Sequence, residues 1–305
     1  MRVFVTGATG WIGSAAVTEL LEAGHDVTGL ARSEQSAAKL RDRGIDVVRG
    51  TLEDVGTLKE AAAGTDGVIH TAYNHDDFNR FAEAAALNQR AIEAFAEVLQ
   101  GTDKPLVFSS GTGMGKPGQF ATEADLPPRD SHPRAGSEYA RVEMAAKGIR
   151  VSSVRHPPTV HGDGDHGFVA ILTQIARTSG VSGYVGAGSN RWPAVHVLDA
   201  APLYLKALTQ APAGAVLNSV AEEGIPTREI AEAIGRALGV PTQSIEPSQA
   251  AEHFGFLGMF FALDVPASSE LTRATYDWHP THPGLLDDLN AGYYTREART
   301  AGTLS

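Results

Sequence analysis

The chain has 305 residues, of which 42% are hydrophobic, and its formal net charge is −11. This hydrophobic fraction allows a sizeable core and argues against disorder, and the negative charge argues against nucleic acid or an anionic membrane as the main partner. The lack of cysteine excludes disulfides, thiolate metal sites and cysteine nucleophiles. A short apolar segment begins at Val3, and no apolar run is long enough to span a bilayer. We therefore expect a cytoplasmic protein without a signal peptide.

The first half of the chain alternates short apolar segments with amphipathic ones. Segments typical of strands lie at residues 3–6, 27–31, 45–48, 67–71, 106–110 and 151–155. Helical periodicity predicts helices at 11–22, 34–43, 58–63 and 78–99. Strands separated by helices imply parallel pairing through right-handed crossovers, so we predict an α/β fold with a doubly wound parallel sheet, the Rossmann architecture.

The second half is less regular, and loops rich in Gly, Pro and His interrupt it. Helices are predicted at 167–178, 199–209, 227–238 and 283–290, and short strands near 194–197 and 215–219. Irregular loops of this kind usually line a pocket above the strand ends. We predict a Rossmann domain and a smaller C-terminal substrate lobe. The expected division is residues 1–160 for the domain with 190–220 returning to it, 161–189 and 221–295 for the lobe, and 296–305 for a flexible tail.

A glycine-rich turn after the first strand is the most informative local pattern. Gly7, Gly10 and Gly13 follow an apolar strand directly and precede an amphipathic helix. Glycines let the main chain approach a diphosphate closely, and the following helix points free N–H groups at negative charge. The pattern predicts a dinucleotide-binding site, and a tight turn without a ligand is the alternative.

The tip of the second predicted strand bears on the choice between NAD and NADP. In NAD-binding proteins of this fold, an acidic residue about 20 positions after the glycine turn binds the ribose hydroxyls. Here the tip carries no carboxylate, and Arg32 stands 19 residues after Gly13. A guanidinium can hold a 2′-phosphate, and Ser33 adds a hydroxyl. We therefore expect NADP (NADPH) rather than NAD; the alternative is that Arg32 is a solvated surface residue.

Several motifs then occur in the order found in one protein family. The segment Thr6 to Gly13 resembles the glycine motif of extended and atypical short-chain dehydrogenases/reductases, in the NAD-dependent epimerase/dehydratase superfamily. Similar matches lie at residues 49–54, 68–72, 88, 107–110, 154–162 and 196–199. Thr51 stands where the family usually has aspartate. The resemblance covers about residues 1–240.

The glycine turn, the second-strand tip and these motifs together nominate one set of cofactor-binding residues. The set implied for NADP is Gly7, Thr9, Gly10, Trp11, Ile12, Arg32, Ser33, Leu52, Thr71, Ala72, Arg134, His156 and Pro157.

The catalytic pair of this family is missing from its expected place. The family uses a tyrosine and a lysine four residues later, and the lysine lowers the pKa of the phenol so that it can exchange a proton. Between the fifth and sixth strands the only tyrosine is Tyr139, with Glu143 four residues on, and it lies 11 residues before Arg150. The family tyrosine sits further upstream, near Asp130, which puts Arg134 at the lysine position.

Other residues must then supply the catalytic groups. A guanidinium stays protonated, so Arg134 cannot act as a base, although it can contact the nicotinamide ribose. Tyr139 is expected to be structural, with an active-site role through altered helix packing as the alternative. We nominate Ser110 and Thr112 after the fifth strand and Tyr73 after the fourth as catalytic residues; capping of the strand is the alternative for the two hydroxyls.

A histidine-rich loop raises the question of a metal. His156, His161 and His166 recur every five residues, with Asp163 and Asp165 between the last two. These side chains suit zinc or iron, but in a Gly- and Pro-rich segment the spacing does not place them on one helix face. We therefore predict no metal site and expect His161 to contact substrate, with a purely structural use as the alternative.

Two later segments are candidates for the substrate pocket. Arg191 and Trp192 are predicted to hold an anionic or aromatic substrate, or else to fix their loop against the sheet. The apolar residues 254–261 are expected to form a lid or pocket wall, or equally a core or dimer surface. As a wall they would favour a substrate less polar than a nucleotide sugar.

Three functions remain open on the sequence. The leading one is an NADP-dependent oxidoreductase acting on a small or medium carbonyl, imine or activated alkene. The second is an epimerase or dehydratase that reuses its bound cofactor, and the third is a regulator that senses NADP without turnover. The expected partner is a small-molecule substrate, with a homodimer possible.

Overall fold

The computed structural model describes residues 1–74, 80–112, 118–129 and 134–295. Its first half alternates strands and helices from the first residues onward. The elements are β1 (Arg2–Thr6), α1 (Trp11–Glu22), β2 (Asp26–Ala31), α2 (Glu34–Arg41), β3 (Asp46–Arg49), α3 (Val55–Ala63), β4 (Gly67–His70), α4 (Phe81–Leu99), β5 (Leu106–Gly111), α5 (Ala135–Ala146) and β6 (Val151–His156).

The second half contains shorter elements. They are β7 (Thr159–His161), α6 (Phe168–Ser179), β8 (Ser182–Val185), β9 (Arg191–His196), α7 (Val197–Ala200), α8 (Pro202–Gln210), β10 (Val216–Asn218), β11 (Glu222–Pro226), α9 (Thr227–Leu238), β12 (Thr242–Ile245), α10 (Ala250–Phe254), α11 (Leu257–Phe261), α12 (Glu270–Tyr276) and α13 (Leu285–Asn290), with a 3-10 turn at Pro247–Gln249.

A seven-stranded sheet in the order β10-β6-β5-β4-β1-β2-β3 organises the first half. Every pairing in it is parallel. The strand order reverses direction between β1 and β4, and in open sheets of this kind ligands bind at the carboxyl ends of the strands beside that point. The predicted Rossmann architecture is confirmed.

The two faces of the sheet are covered by different helices, as the alternation along β1 shows. Val3 and Val5 pack into a core with α1 and α8, whereas Phe4 between them packs into a core with α3, α4 and α5. Side chains of successive strand residues point to opposite faces. The same alternation places Ser109 and Ser110 of β5 on opposite faces of the sheet.

A second core lies in the C-terminal part. It is built from α6, α9, α10, α11 and α13 around Trp192 and Phe254. Strands β7, β9 and β11 form a three-stranded sheet beside it, and β8 pairs with β12. No helix in the described ranges has both the length and the apolarity needed to cross a bilayer.

The regular elements of the first half lie close to their predicted places, and the differences fall mainly in the second half. The strand predicted at 194–197 is β9, which belongs to the smaller sheet, while β10 returns to the main one. The helix predicted at 199–209 is divided into α7 and α8 because Pro202 begins a new helix. The sequence pattern missed the 12-residue helix α5. It also missed β7, β8, β11, β12, α10, α11 and α12, which are too short to show a period.

Parts of two predictions fall outside the described residues. These are the first residues of the helix predicted at 78–99 and the tail at 296–305. The division into domain and lobe stays a prediction.

Candidate functional site

The glycine turn between β1 and α1 is held against the end of β4. Gly7 has a φ of 73°, in the left-handed region that favours glycine. A Cβ atom on Gly7 would lie 2.6 Å from the main-chain nitrogen of Ala72, and one on Gly13 would overlap the main-chain oxygen of Gly7. No described side chain caps the start of α1, whose N-cap is Gly10. Its first N–H groups therefore face the space above the turn.

A single cleft of about 1140 Å³ runs from this turn across the carboxyl ends of the central strands. All residues nominated for the cofactor line it: Gly7, Thr9, Gly10, Trp11, Ile12, Arg32, Ser33, Leu52, Thr71, Ala72, Arg134, His156 and Pro157. Their assignment to a cofactor stays a prediction, but the fold does bring together residues from six separate segments.

One end of the cleft carries cationic and hydroxyl groups at the tip of β2. Arg32 and Ser33 line it, and the Ser33 hydroxyl accepts a hydrogen bond from the Ser36 main-chain N–H at 3.1 Å, which caps α2. Ser36 and Lys39 line the same end. Sequence reasoning missed Lys39, although the spacing of three residues from Ser33 to Ser36 to Lys39 places them on one side of a helix.

At the other end, Tyr73 and Arg134 lie in contact. The guanidinium carbon of Arg134 stands 4.4 Å from the centre of the Tyr73 ring, and Arg134 donates a hydrogen bond to the main-chain oxygen of Ser109 at 3.1 Å. Burial raises the pKa of Tyr73, and the charge of Arg134 partly offsets the rise. Arg134 thus places a permanent positive charge beside the strand ends.

A hydrogen-bonded chain that sequence reasoning missed begins at Ser109. The Ser109 hydroxyl lies 2.5 Å from the phenolic oxygen of Tyr204, which lies 2.7 Å from Nε2 of His156. His156 Nδ1 lies 3.2 Å from the hydroxyl of Ser219. Tyr204 is fully buried on α8. Nothing in the sequence marks it, because an inward-facing tyrosine on a helix is ordinarily a core residue.

The other two hydroxyls nominated after β5 have different positions. Ser110 lines the cleft, on the face of the sheet that carries α5. Thr112 is 3% exposed and does not line the cleft, and its hydroxyl donates to the main-chain oxygen of His156 at 3.3 Å. The main chain uses the Thr112 hydroxyl, and a catalytic role for Thr112 stays a prediction.

A buried ionic cluster supports this part of the sheet from the α5 side. Glu138 forms ion pairs with Arg155, at close range, and with Arg141 at 3.3 Å. Burial alone would raise the pKa of Glu138, but Arg155 and Arg141 hold it below its ordinary value. The cluster fixes α5, and Arg134 with it, against β6.

Tyr139 on α5 lies outside the cleft lining. Its hydroxyl donates to the main-chain oxygen of Pro127 at 2.9 Å, and Arg129 stacks over its ring at 4.0 Å. Both contacts are structural. Asp130, at the position of the family tyrosine, falls outside the described residues.

Of the three residues predicted to contact substrate, one lines the cleft and two do not. Trp192 lines it. His161 is fully buried elsewhere, with Nδ1 2.6 Å from a carboxylate oxygen of Asp288. Arg191 forms an ion pair with Asp264 at 2.9 Å and does not line the cleft. Both side chains are paired with carboxylates of the C-terminal part, and their contact with substrate stays a prediction.

The three histidines of the loop lie in three different environments. His156 faces the strand ends, His161 is buried against Asp288, and His166 lines the cleft with its ring 6.0 Å from that of Trp11. The loop residue Asp165 also lines the cleft, and it accepts a hydrogen bond from the Tyr294 hydroxyl at 2.7 Å.

Trp192 shares its end of the cleft with a group of apolar side chains. Its ring lies 6.0 Å from that of Phe168, which lies 6.2 Å from that of Phe260. Other apolar residues of the cleft lining are Phe81, Leu87, Ile171, Leu263 and Val265. Phe260 belongs to the segment predicted as a lid or wall, whereas Phe254, Leu257 and Phe261 of that segment are buried in the second core. The segment thus serves both as wall and as core.

A doubly wound sheet with a glycine turn beneath a long cleft defines an NAD(P)-binding protein. The model of the NAD dependent epimerase/dehydratase family matches residues 3–219, and the chain belongs to this family. It is accordingly of the NAD(P)-dependent oxidoreductase, epimerase or dehydratase type.

Individual relatives show how far this likeness extends. An uncharacterized protein of Schizosaccharomyces pombe is 50% identical over 96% of this chain and 100% of its own length. A 2-alkyl-3-oxoalkanoate reductase of Stenotrophomonas maltophilia is 27% identical over 79% of this chain and 77% of its own. The crystal structure of Thermus thermophilus UDP-glucose 4-epimerase with NAD superposes with a TM-score of 0.71 at 24% identity, covering 97% of this chain and 100% of the other.

Proposed function

We propose that this protein is an NADP-dependent reductase of a small or medium, largely apolar carbonyl compound, with an imine or activated alkene as related substrates. The observation that carries the proposal is the contrast within one cleft. One end offers cations and hydroxyls beside a glycine turn, and the other is walled by aromatic and aliphatic side chains.

The residues at the first end fit NADP. The glycine turn and the uncapped start of α1 suit the diphosphate, and Arg32, Ser33 and Lys39 suit a phosphate on the adenosine ribose. A carboxylate at the tip of β2, which would repel that phosphate, is absent from the sequence. When bound, NADPH supplies a hydride for the reduction of the substrate.

The apolar end argues against a nucleotide sugar as substrate. A second nucleotide diphosphate needs cationic partners of its own. Of the described cleft residues, Arg32 and Lys39 stand at the adenosine end and Arg134 stands at the strand ends. The side chains around Trp192 bring no arginine or lysine to the cleft. A substrate with an apolar body fits this wall. One relative is named as a 2-alkyl-3-oxoalkanoate reductase, whose substrate combines a carbonyl group and alkyl chains with a carboxylate.

The protein's own groups at the strand ends can orient and polarise a carbonyl oxygen. Tyr73 and Ser110 line the cleft there, and the guanidinium of Arg134 supplies a fixed positive charge where negative charge develops on the oxygen. Arg134 cannot accept the proton, so its part is electrostatic.

The test is oxidation of NADPH and of NADH by the purified protein across a panel of aliphatic and aromatic ketones, aldehydes, imines and enones. We expect turnover with NADPH, faster with apolar carbonyl substrates than with charged ones. Conversion of a nucleotide sugar without net oxidation of NADPH would instead establish the epimerase or dehydratase alternative. Tight NADPH binding with no turnover of any substrate would establish the regulator.

A further inference from the structure

Resting on the proposed function, we propose that the reduction draws its proton from Tyr204 through the hydroxyl of Ser109. In this arrangement Ser109 is the catalytic hydroxyl that touches the substrate oxygen, Tyr204 is a relay phenol behind it, and His156 positions the phenol. The phenol and the cation that the family places on one helix would here come from α8 and from the start of α5.

The position of Ser109 follows from the alternation along β5. Ser110 faces the helices on one side of the sheet, so Ser109 faces α8 on the other, where Tyr204 points inward. Ser109 is half-buried and lines the cleft near the strand ends, whereas Tyr204 is fully buried and does not reach it. Ser109 thus joins the Tyr204 phenol to the cleft on one side, and His156, which also lines the cleft, contacts the phenol on the other. The relay runs through Ser109.

The contacts of Tyr204 form a chain whose direction is set by the tautomer of His156. Among the described residues the phenolic oxygen of Tyr204 contacts Ser109 at 2.5 Å and His156 Nε2 at 2.7 Å. Burial and the charge of Arg134 lower the pKa of His156 to about 3, so the imidazole is neutral near pH 7. The relay uses the tautomer in which Nδ1 accepts from Ser219 and Nε2 donates to Tyr204. In that tautomer Tyr204 donates to Ser109, and the Ser109 proton is directed to the cleft.

The proton step balances with groups that the protein, the substrate and the solvent supply. Once the carbonyl carbon has gained a hydride, the substrate oxygen is an alkoxide. The O–H bond of Ser109 breaks and an O–H bond forms on that oxygen, while the proton of Tyr204 passes to the Ser109 oxygen. A phenolate remains at Tyr204. It keeps the hydrogen bond from His156 and lies within the electrostatic reach of Arg134, and a proton from solvent restores it through Ser109.

The direction of this transfer is favourable even though the site is buried. Burial raises the pKa of Tyr204, while the Ser109 hydrogen bond and the Arg134 charge partly offset the rise. An alkoxide is a much stronger base than a phenolate, so it takes the proton. The raised pKa also keeps the phenol protonated between turnovers, ready to donate.

The experiment compares Tyr204→Phe, Ser109→Ala and Ser109→Thr with the wild-type protein, using its best substrate from the panel. We expect Tyr204→Phe and Ser109→Ala each to lower kcat by about 100-fold, the usual scale for a lost general acid, while KM and the NADPH Kd measured by fluorescence stay within about threefold. Ser109→Thr keeps the hydroxyl and should recover most of the rate. The double variant should be no slower than either single one, because both act in one step.

Solvent deuterium supplies a readout that a structural role would not move. Transfer of two protons in one step predicts that the wild-type kcat falls along a curve as the deuterium fraction rises, and that the dependence becomes linear in Tyr204→Phe. Tyr276→Phe is the matched control, since this tyrosine is buried in the same core but does not line the cleft. It should behave as wild type in every measurement.

Failure of the proton relay and failure of the proposed function give different experimental results. If the wild-type protein reduces a substrate and Tyr204→Phe retains its kcat, or if the wild-type deuterium dependence is linear, the relay is overturned and the proposed function stands. If the wild-type protein turns over no substrate with NADPH, the proposed function fails and the relay falls with it.

Discussion

At the glycine-turn end of the cleft, the lining residues come from short contiguous segments and act through main-chain N–H groups and exposed cations. At the opposite end, Tyr73 follows β4, Ser109 lies in β5, Arg134 precedes α5 and His156 ends β6, and Tyr204 behind them lies in α8. The first end is built mainly from local motifs at the β1–α1 and β2–α2 junctions. The second exists only when β4, β5, β6, α5 and α8 are packed together, so the two ends should respond differently to perturbation.

Acid should produce the largest effect, because it acts on buried histidines, of which His156 lies at the packed end and His70 and His161 lie outside the cleft lining. Burial lowers the pKa of His70 and of His161 to about 4 and that of His156 to about 3. The unfolded chain therefore binds protons that the folded chain does not, so this stability is complete above about pH 6.5 and declines as the pH falls toward 4. Buried carboxylates with raised pKa values, such as Asp165, offset part of this uptake.

We expect a net uptake of at least two protons on unfolding, or a loss of about 2.7 kcal/mol per pH unit between about pH 6 and pH 5. Urea unfolding at several pH values measures this slope. His70→Asn should reduce the slope by about one proton, and His279→Gln, at an exposed position, should leave it unchanged. A free energy of unfolding that stays constant from pH 7 to pH 5 would contradict the prediction.

The next largest effect is expected at the glycine turn. Gly13→Ala places a methyl group against the main-chain oxygen of Gly7, which cannot move without shifting the turn. We expect NADPH affinity to fall by at least about 100-fold, or about 2.8 kcal/mol. Gly56→Ala on α3 is the control, because its added Cβ meets nothing within 4 Å. Equal NADPH affinity in the two variants would show that the turn does not hold the nucleotide.

A smaller effect should separate the two cofactors. Arg32→Glu replaces a cation at the tip of β2 with a carboxylate that repels a 2′-phosphate and can accept from ribose hydroxyls. We expect NADPH affinity to fall by about 10- to 100-fold, the scale of a lost charge-assisted hydrogen bond, with little change for NADH. Fluorescence titrations measure both affinities. An equal loss of affinity for NADPH and NADH would contradict the assignment to NADP.

The smallest effect should appear in the apolar wall. Phe260→Ala removes a ring from the cleft and should raise KM for an apolar substrate by about tenfold, which corresponds to the partial loss of one buried aromatic contact. The affinity for NADPH should not change. Met259 stands beside it on α11, is 74% exposed and does not line the cleft, so Met259→Ala is the matched control. Equal KM values in the two variants would place the substrate elsewhere.

Sequence reasoning reached the two ends unequally. It nominated Arg32, Ser33 and the glycine turn, and the fold assembles these along one cleft because they are local to the β1–α1 and β2–α2 junctions. It also placed Arg134 at the strand ends. It nominated Thr112, His161 and Arg191 by residue type and spacing alone. These side chains do not line the cleft, and the sequence does not reveal their hydrogen-bond and ion-pair partners.

The sequence by itself determined the doubly wound sheet, the nucleotide-binding turn and the absence of the usual tyrosine–lysine pair. Each of these follows from hydrophobic periodicity or from the spacing of residues close together in the chain. Both depend on local main-chain geometry, so they can be recognised without the tertiary structure. Only the tertiary structure decided that Tyr204, Ser109 and His156 meet, and that the far wall is apolar. Those contacts join residues 95 and 48 positions apart, and they depend on the face of the sheet to which each side chain points.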